Sequence, residues 1–227
     1  ETWDPDDPVF DGDGIGYDPK MLGDSYDNMI DPSSLQVVFY EDGDNDADGQ
    51  PGEFLGIVQI TGYYPLDVNP DGVTNLYHME GRLLVDEDII NPEDSYRMMV
   101  FANLPDSQRA VILSEVPYTQ LEDLCFSSYP SGGKERDASM IPMWGVKTVR
   151  MDFRKNDLYD LETVYVLRAV AKIEVKLSDY LQAQGYSLTR LSVSNTNPQG
   201  YCMPGGAWDV LSTESLSLDA CFRELGS

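Results

Sequence analysis

A period of two governs this chain. Leu35, Val37 and Phe39 alternate against Gln36 and Tyr40, and after a Gly/Asp-rich stretch the alternation resumes over Phe54–Ile60. Alternation over four to eight residues places apolar side chains on one face of a β-strand and cannot line one face of a helix. The two segments therefore predict a hairpin with a long acidic tip. Further strands are predicted at Leu76–Val85, Tyr96–Asn103, Val146–Phe153, Val164–Leu177 and Tyr186–Asn195. The run YRMMVFAN is apolar on both faces, as a central buried strand requires. Helix signals are brief, at Thr119–Cys125 and Ser178–Gln184, each opening on a hydroxyl that can cap a first turn. Short strands punctuated by Gly, Pro and Asn predict an all-β, antiparallel β-sandwich architecture.

Charge divides the chain. Of its 227 residues, 40 are acidic and 15 basic, a net charge of −25. Residues 1–53 carry 16 acidic groups against Lys20 alone, which is −15, more than half of the total. The opening 1–34 is an acidic, Asp/Gly/Pro-rich arm with too little apolar surface to offset the entropy of ordering it. A charge this negative repels phosphate backbones and anionic lipid, so neither nucleic acid nor a membrane surface is an expected partner. No run reaches the roughly 18 apolar residues of a membrane span. The first residue is Glu1, and a targeting segment removed upstream of it is the expectation. The polar run Arg154–Glu162 suggests a junction, giving domains at 35–159 and 160–227, the second expected to be partial.

Catalytic signatures are missing from the sequence. His78 is the one histidine, within a strand candidate, and no G-x-S-x-G accompanies it. There is no P-loop, no G-x-G-x-x-G after a strand and no H-E-x-x-H. With 40 acidic residues some carboxylate pair is inevitable, so a pair carries no weight for glycoside hydrolysis. The expectation is a protein without catalytic residues or a resident cofactor. One metal-like motif is present: Asp44, Asp46 and Asp48, ahead of Gly49, can aim three carboxylates at a Ca²⁺ ion. Its twelfth position is Leu55 rather than Glu, and its flanks are strands, so a solvated hairpin tip that discourages edge association is the competing reading. Cys125, Cys202 and Cys221 fit no zinc or redox spacing; Cys202 and Cys221 pair in an oxidising compartment, or all three are buried thiols.

Four segments, in order, resemble the fimbrillin-like proteins of Bacteroidales, the subunits of type V pili. They are LQVVFYEDGD from Leu35, YRMMVFANLP from Tyr96, IPMWG from Ile141, and VYVLRAVAKIEVKL from Val164, the last followed by LTRLSVSNTNPQG. The resemblance implies two transthyretin-like β-sandwich domains, exported through the periplasm as a lipoprotein precursor to the outer membrane and cell surface. It also implies proteolysis after an Arg that removes a leading strand, and assembly with other pilus subunits by β-strand exchange, in which a partner's strand fills the vacated groove. No Arg precedes Arg82 here, so such cleavage is expected upstream of Glu1. The usual apolar leading strand is replaced by the acidic arm, which points toward a tip or accessory subunit. Arg168, within an otherwise apolar strand, is expected to meet a carboxylate or the domain junction.

The sequence thus favours a fimbrial cell-adhesion protein that docks by strand exchange. Two rivals remain open: a calcium-dependent carbohydrate-binding adhesin module, with host or bacterial surface glycans or proteins as partners, and a secreted glycan-processing enzyme domain.

Overall fold

The computed structural model describes residues 30–42, 52–67, 76–85, 94–127, 141–150, 158–169, 177–192, 199–203 and 213. Among these residues eight strands run β1 (Gln36–Glu41), β2 (Phe54–Asp67), β3 (Leu76–Leu83), β4 (Ser95–Ala102), β5 (Cys125–Ser127), β6 (Met143–Arg150), β7 (Leu167–Arg168) and β8 (Gln199–Tyr201). Helices α1 (Asp106–Ile112) and α2 (Tyr118–Leu121) lie between β4 and β5, and α3 (Asp179–Ala183) between β7 and β8. Six strands form one sheet in the order β3-β2-β1-β4-β6-β7, and β5 pairs with β8 in a ribbon. Every pairing is antiparallel, which is the all-β class that the alternation predicts.

Both faces of the sheet are apolar at its centre. Even positions of β1 and odd positions of β4 send Val38, Tyr40, Met99 and Phe101 to one face, where Ile112, Leu121, Leu124, Trp144 and Cys202 cover them. The alternate positions send Val37, Phe39, Met98 and Val100 to the other, where Val164, Val166 and Leu161 pack. Val38, Met99 and Phe101 are fully buried, and each such side chain contributes about 1.5–3 kcal/mol by leaving water. Tyr40 donates its hydroxyl to the Val116 carbonyl at 2.8 Å and meets Phe54 and Tyr118 edge-on. Burial pushes that hydroxyl's pKa upward.

The predicted hairpin is present, with Val38 opposite Ile57 and Phe39 opposite Gly56. Its acidic tip falls outside the described residues. The helix at Ser178 also forms, capped by the Ser178 hydroxyl accepting from the Leu181 amide. Three expectations are corrected. Residues 186–192 make no strand: Tyr186, Leu188 and Leu191 are 50–65% exposed, and no strand among the described residues lies beside them to build a ladder. Between Val164 and Ala169 only Leu167 and Arg168 pair as strand, against Met143 and Trp144, and 170–176 lie outside the described residues. The second helix begins after Pro117, not at a Thr119 cap. Helix α1 was not anticipated; Pro105 precedes it and Asp106 occupies its first turn, next to the partial positive charge of the helix start.

Strand pairing crosses residue 160. Beyond β6–β7 and β5–β8, the Thr213 hydroxyl accepts from the Val146 amide and donates to the Val146 or Tyr165 carbonyl. Gly145 lets the intervening chain approach β6: a Cβ there would lie 2.5 Å from the Tyr165 carbonyl oxygen.

Candidate functional site: an open seam beside strand β2

Strand β2 is 14 residues long and β1 only six, and the two pair at three positions, ending at Val38 with Ile57. The chain turns away just before β1. Asp31 caps a 3-10 turn at Pro32–Ser34, its carboxylate accepting from the Ser33 amide at 2.9 Å. Two residues from elsewhere hold that turn. The Asn103 side-chain oxygen accepts from the Asp31 amide at 2.9 Å, and Arg109 donates to the Ser33 carbonyl at 2.9 Å. Arg109 is itself fixed by Asp106 at 2.6 Å. Among the described residues, strand β2 continues with β3 alone at its side, through Tyr64 opposite His78 and Asp67 opposite Leu76.

Among the described residues no strand pairs with the β1-facing edge of β2 beyond Ile57. A cleft of about 500 Å³ opens where the two strands part. Pro32, Ser33, Leu35 and Gln36 form one wall, and Ile57, Val58, Gln59 and Ile60 the other. Leu84 and Leu113 complete it, 70% and 56% exposed, respectively. The lining holds no charged side chain. Two prolines mark the seam in the sequence. Pro32 shapes the turn that precedes β1, and Pro65, which has no amide to donate, sits in the part of β2 that no other described strand pairs on one side, where a strand tolerates it.

Stacked rings brace the protruding β2–β3 ribbon. Tyr63 and Tyr77 stack with ring centroids 5.0 Å apart, and Tyr64 and His78 at 4.6 Å. Burial first, then Tyr77 and Asp31, push the Tyr63 hydroxyl's pKa upward. His78 lies on this outer strand, 3.3 Å from the Glu80 carboxylate. The candidate calcium ligands Asp44, Asp46 and Asp48 fall outside the described residues, within which no cluster of three metal-ligating side chains occurs. Cys125 and Cys202 are free thiols, and Cys221 lies outside the described residues. Burial, and secondarily Cys125, push the Cys202 thiol up to about 12. Arg168 is half-buried in β7, opposite Met143. No helix among the described residues is long and apolar enough to cross a membrane.

An open sheet edge beside an apolar cleft is the arrangement that accepts an extended segment, since it offers unpaired backbone groups and pockets together. The position of this seam was not legible in the four resembling segments; Pro32 and Pro65 are the residues that signal it. No curated protein and no solved structure matches the chain. A family model described as fimbrillin-A associated anchor proteins Mfa1 and Mfa2 matches residues 31–224, which include every element from the 3-10 turn to β8. The chain belongs to that family of fimbrillin-A associated anchor proteins.

Proposed function

We propose that this protein is an accessory subunit of a fimbrium that docks another subunit by accepting its strand at the β2 seam. Family membership makes it a fimbria-associated protein of the cell surface. The finer reading adds a transthyretin-like scaffold, export through the periplasm as a lipoprotein precursor, anchorage at the outer membrane, and a structural rather than catalytic role. The observation that carries the docking step is the mismatch between β1 and β2: ten residues of β2, from Val58 to Asp67, run past the last β1 pair beside a cleft lined largely by apolar groups. A partner strand laid there would pair with β2 through its backbone and bury alternate side chains against Leu35, Val58 and Ile60, which lie on one face.

The test is binding of a peptide copied from the terminal strand of a fimbrial subunit. Leu84 and Leu113 are mostly exposed, so Leu84→Glu with Leu113→Glu leaves the core intact while placing charge in the cleft. The double variant is expected to keep its melting temperature and lose at least tenfold in peptide affinity. Unchanged affinity in a folded double variant would show that docking occurs elsewhere.

A further inference from the structure

Strand β3 ends the sheet order β3-β2-β1-β4-β6-β7, so among the described residues no strand lies on its outer side. Its residues, Leu76–Leu83, include no proline, and the extra residues at both irregularities of the β2–β3 ladder, Thr61 and Leu66, belong to β2. The outer backbone of β3 is therefore regular and able to template a further strand. Met79 and Leu83 pack with Val58 and Ile60 on one face, where a Cβ on Gly81 would meet Val58. His78, Glu80 and Arg82 alternate on the other face, where His78 stacks on Tyr64 and lies 3.3 Å from the Glu80 carboxylate. Glu80 and Arg82 are exposed, and no ion pair among the described residues takes the Arg82 guanidinium. We infer that β3 pairs with β3 of a second copy of this chain, antiparallel and centred on Gly81, joining two sheets across a two-fold axis.

The charges select that register. A two-fold axis sets a strand against its own reverse, so each contact occurs twice. Residues directly opposite in an antiparallel pair turn their backbone groups the same way, so a regular strand opposes odd positions to odd and even to even. A centre at Glu80 or at Arg82 sets that charge against its own copy, which destabilises the pair. A centre at Met79 sets His78 opposite Glu80 but Arg82 opposite Leu76. The centre at Gly81 sets Glu80 opposite Arg82 twice and Met79 opposite Leu83 twice. Opposite charges then meet on one face and apolar groups on the other, the two kinds of cross-strand pair that stabilise a sheet. Charge on an edge strand commonly discourages pairing; here its alternation in sign discourages the competing registers and leaves one. Two short strands make a small contact, so the dimer forms at high protein concentration. It leaves the β1-facing edge of β2 free in both copies and does not depend on strand docking there.

The experiment is sedimentation equilibrium of the full chain from about 5 to 500 μM at low salt. The average mass of the wild type is expected to rise with concentration toward twice that of the monomer. Glu80→Arg and Arg82→Glu each set two like-charge pairs across the axis, so each is expected to weaken the dimer about tenfold or more at an unchanged melting temperature. Mixed in equal amounts, the two variants face each other with every charge opposite its complement. The mixture is expected to dimerise within about threefold of the wild type. A wild type that stays monomeric throughout the range would overturn the inference. A single variant that dimerises as the wild type does would place the contact elsewhere and overturn it too. A mixture no stronger than either variant alone would deny the Gly81-centred register.

Discussion

Asn103 and Ser34, 69 residues apart, are locked together: the Asn103 amide donates to the Ser34 hydroxyl at 2.8 Å, just past the end of β4. Asn103 adopts φ 59°, a left-handed conformation that Asn tolerates better than most residues. In that pose its side chain accepts from the Asp31 amide and donates to the Ile141 carbonyl at 2.9 Å. One residue thereby joins the turn before β1, the end of β4 and the start of β6.

Asn103→Ala loses these side-chain bonds, leaves buried groups unpaired and strains the backbone, so a loss of about 3 kcal/mol is expected. Asn103→Gly relieves the strain and loses the same bonds, so denaturant melts should rank wild type above Gly above Ala. Because the turn forms a wall of the cleft, Asn103→Gly should also weaken peptide docking. Equal stability of all three proteins would show that the clamp is not stabilising.

Arg97 and Asp42 make a buried ion pair at 3.1 Å, each side chain 4% exposed. Removing one partner breaks a buried ion pair, at a cost of about 3–5 kcal/mol. Asp42→Ala should therefore destabilise by several kcal/mol, and Asp42→Ala with Arg97→Met by less. A double variant as unstable as the sum of the singles would deny the coupling.

Gly145 sits under the chain segment that crosses β6. The Cβ of Gly145→Ala would meet the Tyr165 carbonyl and the Val166 side chain, and overpacking of this kind costs about 1–3 kcal/mol. The neighbouring Lys147 donates to the Leu161 carbonyl at 3.1 Å and to Glu162 at 2.8 Å, fixing the same segment. Thermal unfolding of Gly145→Ala should shift downward, and limited proteolysis should cut near Tyr165 sooner than in wild type.

The Cys202 thiol, held at about 12 by burial, gives a signed pH dependence. The folded state retains its proton to higher pH than the unfolded state, so the unfolded chain binds fewer protons and stability falls as pH rises. That contribution is whole below about pH 9, the ordinary thiol range, and declines toward pH 12. Cys202→Ala should flatten this part of the curve. At pH 8, iodoacetamide should label half-buried Cys125 well before buried Cys202, and unfolding should remove the difference.

The centre of the sheet was legible because its signal is local. Leu35–Tyr40, Phe54–Ile60 and Tyr96–Asn103 carry their own alternation or apolar run, and each became a strand. The ends were not legible, because they depend on neighbours. Residues 186–192 carry apolar side chains set among polar ones, yet no strand lies beside them among the described residues. Leu167–Arg168 becomes strand only because Met143 and Trp144 offer an edge. The seam was hidden for the same reason: its cause is that β1 begins only at Gln36, after the Pro32–Ser34 turn, while β2 continues through Pro65, a relation between two lengths that neither segment contains alone.

The account depends most on β2 having an unpaired edge that a partner's backbone fills. Amide hydrogen exchange over Gln59–Leu66, measured with and without a peptide copied from the terminal strand of a fimbrial subunit, tests it directly. In the free protein, alternate amides of this stretch should exchange quickly while those facing β3 are slow, and the peptide should slow the fast set by at least tenfold. Uniformly slow exchange in the free protein, or a fast set that the bound peptide leaves unchanged, would contradict the account.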